Sequence, residues 1–470
     1  MRNRHPEYLT TPKERGSYWT YFVGQNLIYY LVTGYLVTYT MMIGADVTKT
    51  ATIMFAVKFW DAINDALFGL IFDKVKFKSG KCLPWIRIST ALLPAATILL
   101  FMIPRSAGET VKLIWFAVAY ILWDTAYTIC DIPVYSLVTT MTDNLSERNT
   151  LMSFGRVFSG IGTGATTVVC TVLASESVGV SFSIIAVIIG ILSIITMAPL
   201  SFKGKERGNT GVDSDSFTLR EMLSYLVHNK FLLLFYVAYI IANALATSGA
   251  MGMLVSYYLF GNSLFNLLLG ALGAIPSLVI ALFIPKILEK VDKFRFYMAC
   301  TVIQIILGFL IFFIGYKHVI LFLVLTVIRS IPLSATGTMA FMFTPDCAEY
   351  GKFKTGTDAK GITFAIQTFS AKVGSAVSSS LGMIIVGWFG WVTVNASSFD
   401  ELEALNVVQP ESALNGLWIT YALIPVIGAL LSLIPLFFYK LRDKDVRIMA
   451  KCNFGEITRE EAEKQLSRKY

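Results

Sequence analysis

The feature that most constrains this chain is a series of twelve long apolar stretches. Each is long enough to cross a bilayer as a helix, which takes about 20 residues. Backbone polar groups cannot stay unpaired in lipid, so each stretch is predicted to be a helix or a broken helix beside a cavity. The stretches cover residues 18–43, 46–72, 84–103, 111–141, 149–176, 180–201, 230–260, 264–289, 297–316, 318–345, 358–392 and 413–439.

The composition supports this interpretation. Of the 470 residues, 55% are hydrophobic and only 15% are charged, and the mean hydropathy is +0.64. Such a balance excludes most soluble enzymes. The formal net charge of +8 comes from basic residues in short loops, which topology explains better than a nucleic-acid-binding face would. We therefore expect no nucleic-acid partner.

The distribution of Lys and Arg predicts the orientation, because these residues accumulate in cytoplasmic loops. The loop after the second stretch is basic, whereas the loop between the last two stretches is acidic and contains no basic residue. Both termini are therefore predicted to be cytoplasmic, in a multi-pass protein of the cell membrane. The basic loop carries Lys74, Lys76, Lys78 and Lys81, and the acidic loop carries Asp400, Glu401, Glu403 and Glu411.

One long polar segment in mid-chain divides six stretches from six. The two halves contain similar short segments, since GLIFDKVKFK follows the second stretch and ILEKVDKFRF follows the eighth. Two related halves are typical of alternating-access transporters, whose site lies between them. We predict an all-α membrane protein with two pseudo-symmetric six-helix bundles. The N-terminal bundle covers 1–201, a cytoplasmic linker 202–229, the C-terminal bundle 230–440 and a cytoplasmic tail 441–470.

Several polar residues lie inside the apolar stretches, where an ionisable group is costly and usually marks function. In KFWDAIND, Asp61 and Asp65 are four residues apart and share one helix face, with Asn64 beside them. The other candidates inside the stretches are Tyr127, Thr128, Asp131, Tyr135, Arg156 and Lys372.

The charges of these candidates suggest a bound cation. The three carboxylates carry −3 and the two basic residues carry +2, so one monovalent cation would balance them, although Lys58 would alter this count. The competing interpretation is a set of structural ion pairs between helices. We assign two residues to that structural class: Asp124, in a helix turn that faces a loop, and Arg329, which ties the tenth helix to a neighbour.

Enzyme signatures are absent from the sequence. The three histidines lie near the ends of stretches or in the tail, and the six cysteines show no CxxC spacing. No GxxxxGK[ST] motif indicates ATP-driven pumping. We expect neither an enzyme nor a bound cofactor.

The motifs together resemble those of the melibiose carrier group, the glycoside-pentoside-hexuronide:cation symporter family of the major facilitator superfamily. The resemblance extends over nearly the whole chain and implies the major facilitator fold with symport of a sugar and a monovalent cation by alternating access. The residues that carry it are WDAIND, Tyr127-Thr128 with Asp131, Arg156, QTFSAK and DCAEYGKFKTG.

The resemblance also implies roles for individual residues. Its cation ligands are Asp61, Asn64, Asp65 and Thr128, whose carboxylate, amide and hydroxyl oxygens suit a small hard cation such as Na⁺. Na⁺, H⁺ and Li⁺ all remain open as the coupling ion. The implied substrate-binding residues are Asp131, Arg156, Tyr127, Tyr135, Gln367, Lys372 and Asn26.

Two departures from the family pattern concern the sugar. Tyr135 stands where the melibiose carrier has a tryptophan, and Gly24-Gln25-Asn26 replaces an acidic position. The substrate is therefore open among other glycosides, pentosides and anionic sugars. A proton-coupled sugar symporter and a lipid or lysolipid symporter of the same fold are the alternatives, with a membrane sensor as a third. The expected partners are a sugar, a monovalent cation and membrane lipid, and the expected state is monomeric.

Overall fold

The computed structural model describes residues 8–75, 77, 79–207, 219–356 and 359–470. Regular structure in these ranges is helical, apart from two isolated β-bridges, Ile43 with Asn395 and Phe77 with Gly80. The helices of the first half are α1 (Pro12–Thr40), α2 (Val47–Lys74), α3 (Leu83–Leu100), α4 (Glu109–Met141), α5 (Leu145–Ala174) and α6 (Phe182–Lys203).

The second half continues the series and contains shorter helices. They are α7 (Leu219–His228), α8 (Lys230–Ala244), α9 (Ser248–Phe260), α10 (Phe265–Leu288), α11 (Lys293–Ile314), α12 (Val319–Ala340), α13 (Phe343–Thr355), α14 (Lys360–Trp388), α15 (Phe399–Ala404), α16 (Glu411–Trp418), α17 (Ile424–Phe437), α18 (Asp443–Asn453) and α19 (Arg459–Gln465). A π-helical turn, Ile419–Leu423, joins α16 to α17.

Ten helical segments within the described ranges are long and apolar enough to cross a membrane. They comprise α3 to α6, α8 with α9, α10, α11, α12 with α13, α14, and α16 with α17. The long helices α1 and α2, of 29 and 28 residues, lie outside that set. Large apolar side chains such as Phe313 and Ile320 are about four-fifths exposed, as suits a surface in contact with lipid.

Local sequence explains where several helices begin. Thr11 caps α1, and Glu14 completes a capping box with it. The side chains of Asp46, Asn144 and Ser181 accept backbone hydrogen bonds at the starts of α2, α5 and α6. Each such cap contributes about 1 kcal/mol by satisfying an amide that has no partner within the helix.

By its internal contacts the chain divides into two compact units. The first unit contains the described residues of Met1–Asp213, Ala250–Leu267 and Met383–Leu414. The second contains those of Ser214–Gly249, Leu268–Gly382 and Asn415–Tyr470. The predicted domain boundaries stay a prediction, and residues 208–218 of the predicted linker lie outside the described ranges.

Close helix packing in the first unit sets the position of α1. A Cβ added at Gly24 would lie 2.5 Å from Thr196 Oγ1 of α6, and one added at Gly162 of α5 would lie 2.5 Å from the Val23 carbonyl oxygen. Only glycine allows the backbones to approach this closely. The polar residues after Gly24 are thereby held next to α4 and α5.

Hydrogen bonds between loops also stabilise the first unit. The Arg105 guanidinium donates two hydrogen bonds to the Glu401 carboxylate, at 3.0 and 2.6 Å. These bonds lower the pKa of Glu401 to about 2, and hydrogen bonds from the Ser397 hydroxyl and amide act in the same direction. Burial opposes them by raising the pKa. The Ala396 amide donates to the Met42 carbonyl oxygen at 2.8 Å. Residues 395–401 are therefore anchored to the ends of α1 and α3.

Aromatic rings fill the core of the second unit. Phe235 stacks on Phe343 at 4.6 Å between ring centroids, and Phe294 stacks on Tyr439 at 5.0 Å. The predicted tail contains the helices α18 and α19. Asn453 of α18 donates to the Glu349 carboxylate of α13 at 2.8 Å, so the tail packs on the helix formed by DCAEYGKFKTG.

Candidate cation and sugar site

Three of the four predicted cation ligands meet between α2 and α4. The Asn64 amide donates to the Thr128 hydroxyl oxygen at 2.8 Å, and that hydroxyl donates to the Asp65 carboxylate at 2.9 Å. Asn64 and Thr128 are buried, with 5% and 2% of their surfaces exposed. The helix pair thus holds the Asn64 amide nitrogen, the Thr128 hydroxyl and the Asp65 carboxylate in one hydrogen-bonded row.

Asp61 adds a second carboxylate to this face. It lies one turn before Asp65 on α2, and both side chains are half-buried. Hard oxygen donors of this kind bind small hard cations rather than transition metals. No cluster of three or more His, Cys, Asp or Glu residues that could hold a metal was found in the described ranges. The arrangement therefore offers oxygen ligands from two carboxylates, an amide and a hydroxyl.

Asp124 does not occupy a turn that faces a loop. It lies in the middle of α4 with a side chain only 3% exposed, and its carboxylate pairs with the Lys58 ammonium of α2 at 3.3 Å. The prediction of a loop-facing turn is therefore wrong. The signal for this position was the four-residue spacing between Asp124 and Thr128, which puts both on the helix face that α2 covers.

The predicted sugar residues of the first unit surround Asp131. Its carboxylate accepts a hydrogen bond from the Gln25 side-chain amide at 2.7 Å. The hydroxyls of Tyr127 and Tyr135 lie within electrostatic range of this carboxylate, and Tyr135 is also within range of the exposed Arg156. The structure thus brings four of the predicted substrate residues of α4 and α5 near one another.

Asn26 has a different set of contacts. Its side-chain amide donates to the Phe22 carbonyl oxygen at 2.9 Å and to the Ser159 hydroxyl at 3.0 Å, which links α1 to α5. Gln25, rather than Asn26, contacts Asp131. The sequence contained the signal for Gln25 in the replaced acidic position, but the direction of each side chain depends on how α1 packs.

Aromatic rings border this region, and two buried polar atoms within it are unpaired. Tyr127 stacks on Trp123 at 5.4 Å and contacts Tyr29 at 5.2 Å. The Tyr18 hydroxyl and the Gln25 side-chain oxygen are buried and have no hydrogen-bond partner among the residues that the structure describes. Buried polar atoms almost always have partners, so these two are candidates to contact a polar ligand. Sequence reasoning did not identify Tyr18.

Gln367 and Lys372 lie on α14 in the second unit. The Gln367 side-chain oxygen accepts a hydrogen bond from the Thr344 hydroxyl at 2.5 Å, and Thr344 also hydrogen-bonds the Tyr236 hydroxyl. Lys372 is half-buried five residues further along the helix. In the same unit, Arg329 of α12 packs against Gly308 of α11, where an added Cβ would lie 3.4 Å from the guanidinium.

The sequence matches the model of the MFS/sugar transport protein family over residues 20–443. The chain belongs to this family. The family transports its substrates across membranes, so the chain is a multi-span membrane transporter and not an enzyme. The match also agrees with the resemblance to the glycoside-pentoside-hexuronide:cation symporters.

Three relatives match this chain over most of its length and over most of their own. The uncharacterized symporter YnaJ of Bacillus subtilis is 27% identical over 91% of this chain and 91% of that protein. The isoprimeverose transporter of Lactiplantibacillus pentosus is 25% identical over 93% of this chain and 90% of that protein. The glucuronide carrier protein homolog of Escherichia coli is 24% identical over 86% of this chain and 87% of that protein.

Solved structures of transporters share the fold. The nucleoside transporter NupG matches with a TM-score of 0.65 at 13% identity and covers 92% of this chain and 100% of its own. The D-xylose-proton symporter matches with a TM-score of 0.62 at 10% identity, over 91% of this chain and 97% of its own. The transporter is therefore an all-α membrane protein with the major facilitator fold, as predicted.

Proposed function

We propose that this transporter is a Na⁺-coupled symporter of a glycoside or a related sugar. It works by alternating access in the cytoplasmic membrane, with both termini in the cytoplasm. The observation that carries the proposal is the oxygen cluster of Asn64, Asp65 and Thr128, with Asp61 on the same helix face. Relatives named as an isoprimeverose transporter, a glucuronide carrier homolog and a putative glycoside/cation symporter support the substrate class.

The chemistry of the cluster favours a small cation. Na⁺ would replace the hydrogen bond from Thr128 to Asp65 with direct contacts to both oxygens and to the Asn64 amide oxygen after that side chain turns. Carboxylates at membrane depth need a compensating charge, because an isolated ion is costly there. A monovalent cation supplies that charge and is released when its site opens to the other side of the membrane.

The chemistry around Asp131 favours a ligand rich in hydroxyls. A carboxylate accepts hydrogen bonds from sugar hydroxyls, and the Arg156 guanidinium can donate to two oxygens at once. The buried Tyr18 hydroxyl and Gln25 side-chain oxygen would gain partners from the same ligand. A sugar ring offers hydroxyls to all of these atoms, whereas the acyl chain of a lysolipid offers none, so the region favours a sugar.

One helix connects the two regions. Thr128 belongs to the cation cluster and Asp131 to the sugar region, and three residues separate them on α4. Binding at one region restricts the side chains and the helix segment that form the other. This shared helix gives a physical route by which a cation gradient drives sugar accumulation.

Uptake by membrane vesicles with imposed gradients tests the proposal. Radiolabelled neutral glycosides, glucuronides and a sulfonated sugar would be presented with an inward Na⁺ gradient, an inward proton gradient or no gradient. We expect one of the sugars to accumulate above equilibrium only with the Na⁺ gradient. Accumulation driven by the proton gradient alone would identify H⁺, and not Na⁺, as the coupling ion. The absence of uptake of every sugar would overturn the substrate class.

A further inference from the structure

A buried ion pair lies directly beside the predicted cation ligands but is not one of them. The Lys58 ammonium of α2 contacts the Asp124 carboxylate of α4 at 3.3 Å, and it lies 5.3 Å from the centre of the Tyr120 ring. The Asp124 side chain is 3% exposed and the Lys58 side chain 23%. A buried pair of this kind contributes little net stability, so its presence requires another explanation.

The pair continues the two helix faces that form the cation cluster. Lys58 precedes Asp61 by three residues and Asp65 by seven, which puts all three on one face of α2. Asp124 precedes Thr128 by four residues, and the Thr128 hydroxyl lies 3.2 Å from the Asp124 carbonyl oxygen. Lys58 therefore lies about one helical turn from Asp61 and about two turns from Asp65, the carboxylates that would bind Na⁺.

The length of the lysine side chain makes this proximity important. An ammonium on a flexible four-carbon stem can exchange one carboxylate for another within its reach, and residues three apart on a helix are neighbours. Asp61 already lies within electrostatic range of the Lys58 ammonium. An ammonium and Na⁺ are both monovalent cations that seek carboxylate oxygens, and a tethered cation competes at a high effective concentration.

We propose that Lys58 is a tethered competitor of the coupling cation and that Asp124 is the positioning residue that holds it away from Asp61 and Asp65. This inference rests on the proposed function. While Asp124 binds the ammonium, Lys58 does not occupy the oxygen positions that Na⁺ would take. When Asp124 loses its charge, Lys58 turns to the cluster and occupies it.

The test is a double-mutant series in which Na⁺ binding is measured by calorimetry on the purified full chain in lipid nanodiscs. In Asp124→Asn the ammonium is released, so we expect the dissociation constant for Na⁺ to rise by about tenfold or more. In the double variant Lys58→Met with Asp124→Asn the competitor is gone, and we expect the wild-type constant within about threefold. Asp124→Glu keeps the charge and serves as the matched control.

The dissociation constant separates this proposal from a purely structural role. A structural pair would lower the fraction of protein that binds in Asp124→Asn without changing the constant of the folded remainder. An unchanged constant in Asp124→Asn, or a double variant as weak as Asp124→Asn, overturns the inference while Na⁺ coupling stands. If Asp124→Asn does not fold, the double variant alone tests the inference. Na⁺ binding by the double variant that is more than tenfold weaker than in the wild type then overturns the inference. A wild-type protein that binds no Na⁺ overturns the proposed coupling ion and this inference together.

Discussion

Replacing Thr128 by valine removes one hydroxyl from the cation cluster while the shape of the side chain is kept. Thr128 is 2% exposed, and its hydroxyl accepts from Asn64 at 2.8 Å and donates to Asp65 at 2.9 Å. Each buried partner that loses its hydrogen bond costs about 1–3 kcal/mol. Valine also removes the hydroxyl as a ligand of bound Na⁺, and if that loss exceeds the loss in the Na⁺-free state by about 2 kcal/mol, the affinity for Na⁺ falls about 30-fold.

Calorimetric titration of the purified protein with Na⁺ measures the effect. Thr128→Ser keeps the hydroxyl, so we expect its affinity to stay close to that of the wild type. Thr125→Val is the matched control, because Thr125 also joins α4 to α2, through the Trp60 indole at 3.2 Å, but lies outside the cluster. If Thr128→Val bound Na⁺ as tightly as Thr125→Val does, the cluster would not be the cation site.

Three further perturbations have defined outcomes. Asp65→Cys removes a charged oxygen ligand, so vesicles should lose sugar accumulation while the purified variant still binds sugar; normal accumulation would exclude Asp65 as a ligand. Asp131→Ala and Arg156→Ala should each weaken sugar binding by about 1–3 kcal/mol in titrations at saturating Na⁺, and an unchanged constant would move the sugar elsewhere. The pKa of Glu401, about 2, lies below the usual 4.5, so the Arg105 pair stabilises the fold above pH 4.5 and ceases to do so as pH falls towards 2. The excess thermal stability of the wild type over Glu401→Gln should therefore shrink across that range, and a constant difference would exclude the ion pair as its source.

The fold could be predicted from the sequence because lipid leaves few choices. Long apolar stretches must become helices, so their order followed from the positions of these stretches along the chain. Interruptions within a stretch could not be predicted in the same way. The break between α8 and α9 and the π-helical turn at Ile419–Leu423 arise from packing, where Thr247 donates to the Thr420 carbonyl oxygen.

In the candidate site, helical periodicity predicts which residues share a polar face, whereas helix packing determines which of them make contact. The spacing of Asp61, Asn64 and Asp65 on α2 and of Thr128 on α4 was sufficient to predict polar faces. Which residue of Gln25 and Asn26 reaches Asp131 was not, because one residue along a helix changes the direction of a side chain by about 100°. The close approach of α1 to α5 and α6, which glycines allow, determines that Gln25 reaches Asp131.

The prediction that Asp124 lies in a loop-facing turn was wrong for a related reason. The sequence shows an acidic residue on a long stretch but not its partner on another helix. The Lys58 ammonium reaches this carboxylate, at 3.3 Å, only because α2 and α4 pack side by side. Charged partners 66 residues apart in the chain have no local pattern that joins them.

The most direct test of cation-coupled sugar transport is the reciprocity of binding in the purified protein. Calorimetry would measure the sugar constant with and without Na⁺, and the Na⁺ constant with and without sugar. Because α4 carries both Thr128 and Asp131, we expect Na⁺ to tighten sugar binding, and sugar to tighten Na⁺ binding, by the same factor of about 5 to 150. Sugar affinity that does not change with Na⁺, Li⁺ or pH would contradict coupling and leave the carboxylates of α2 with a structural role only.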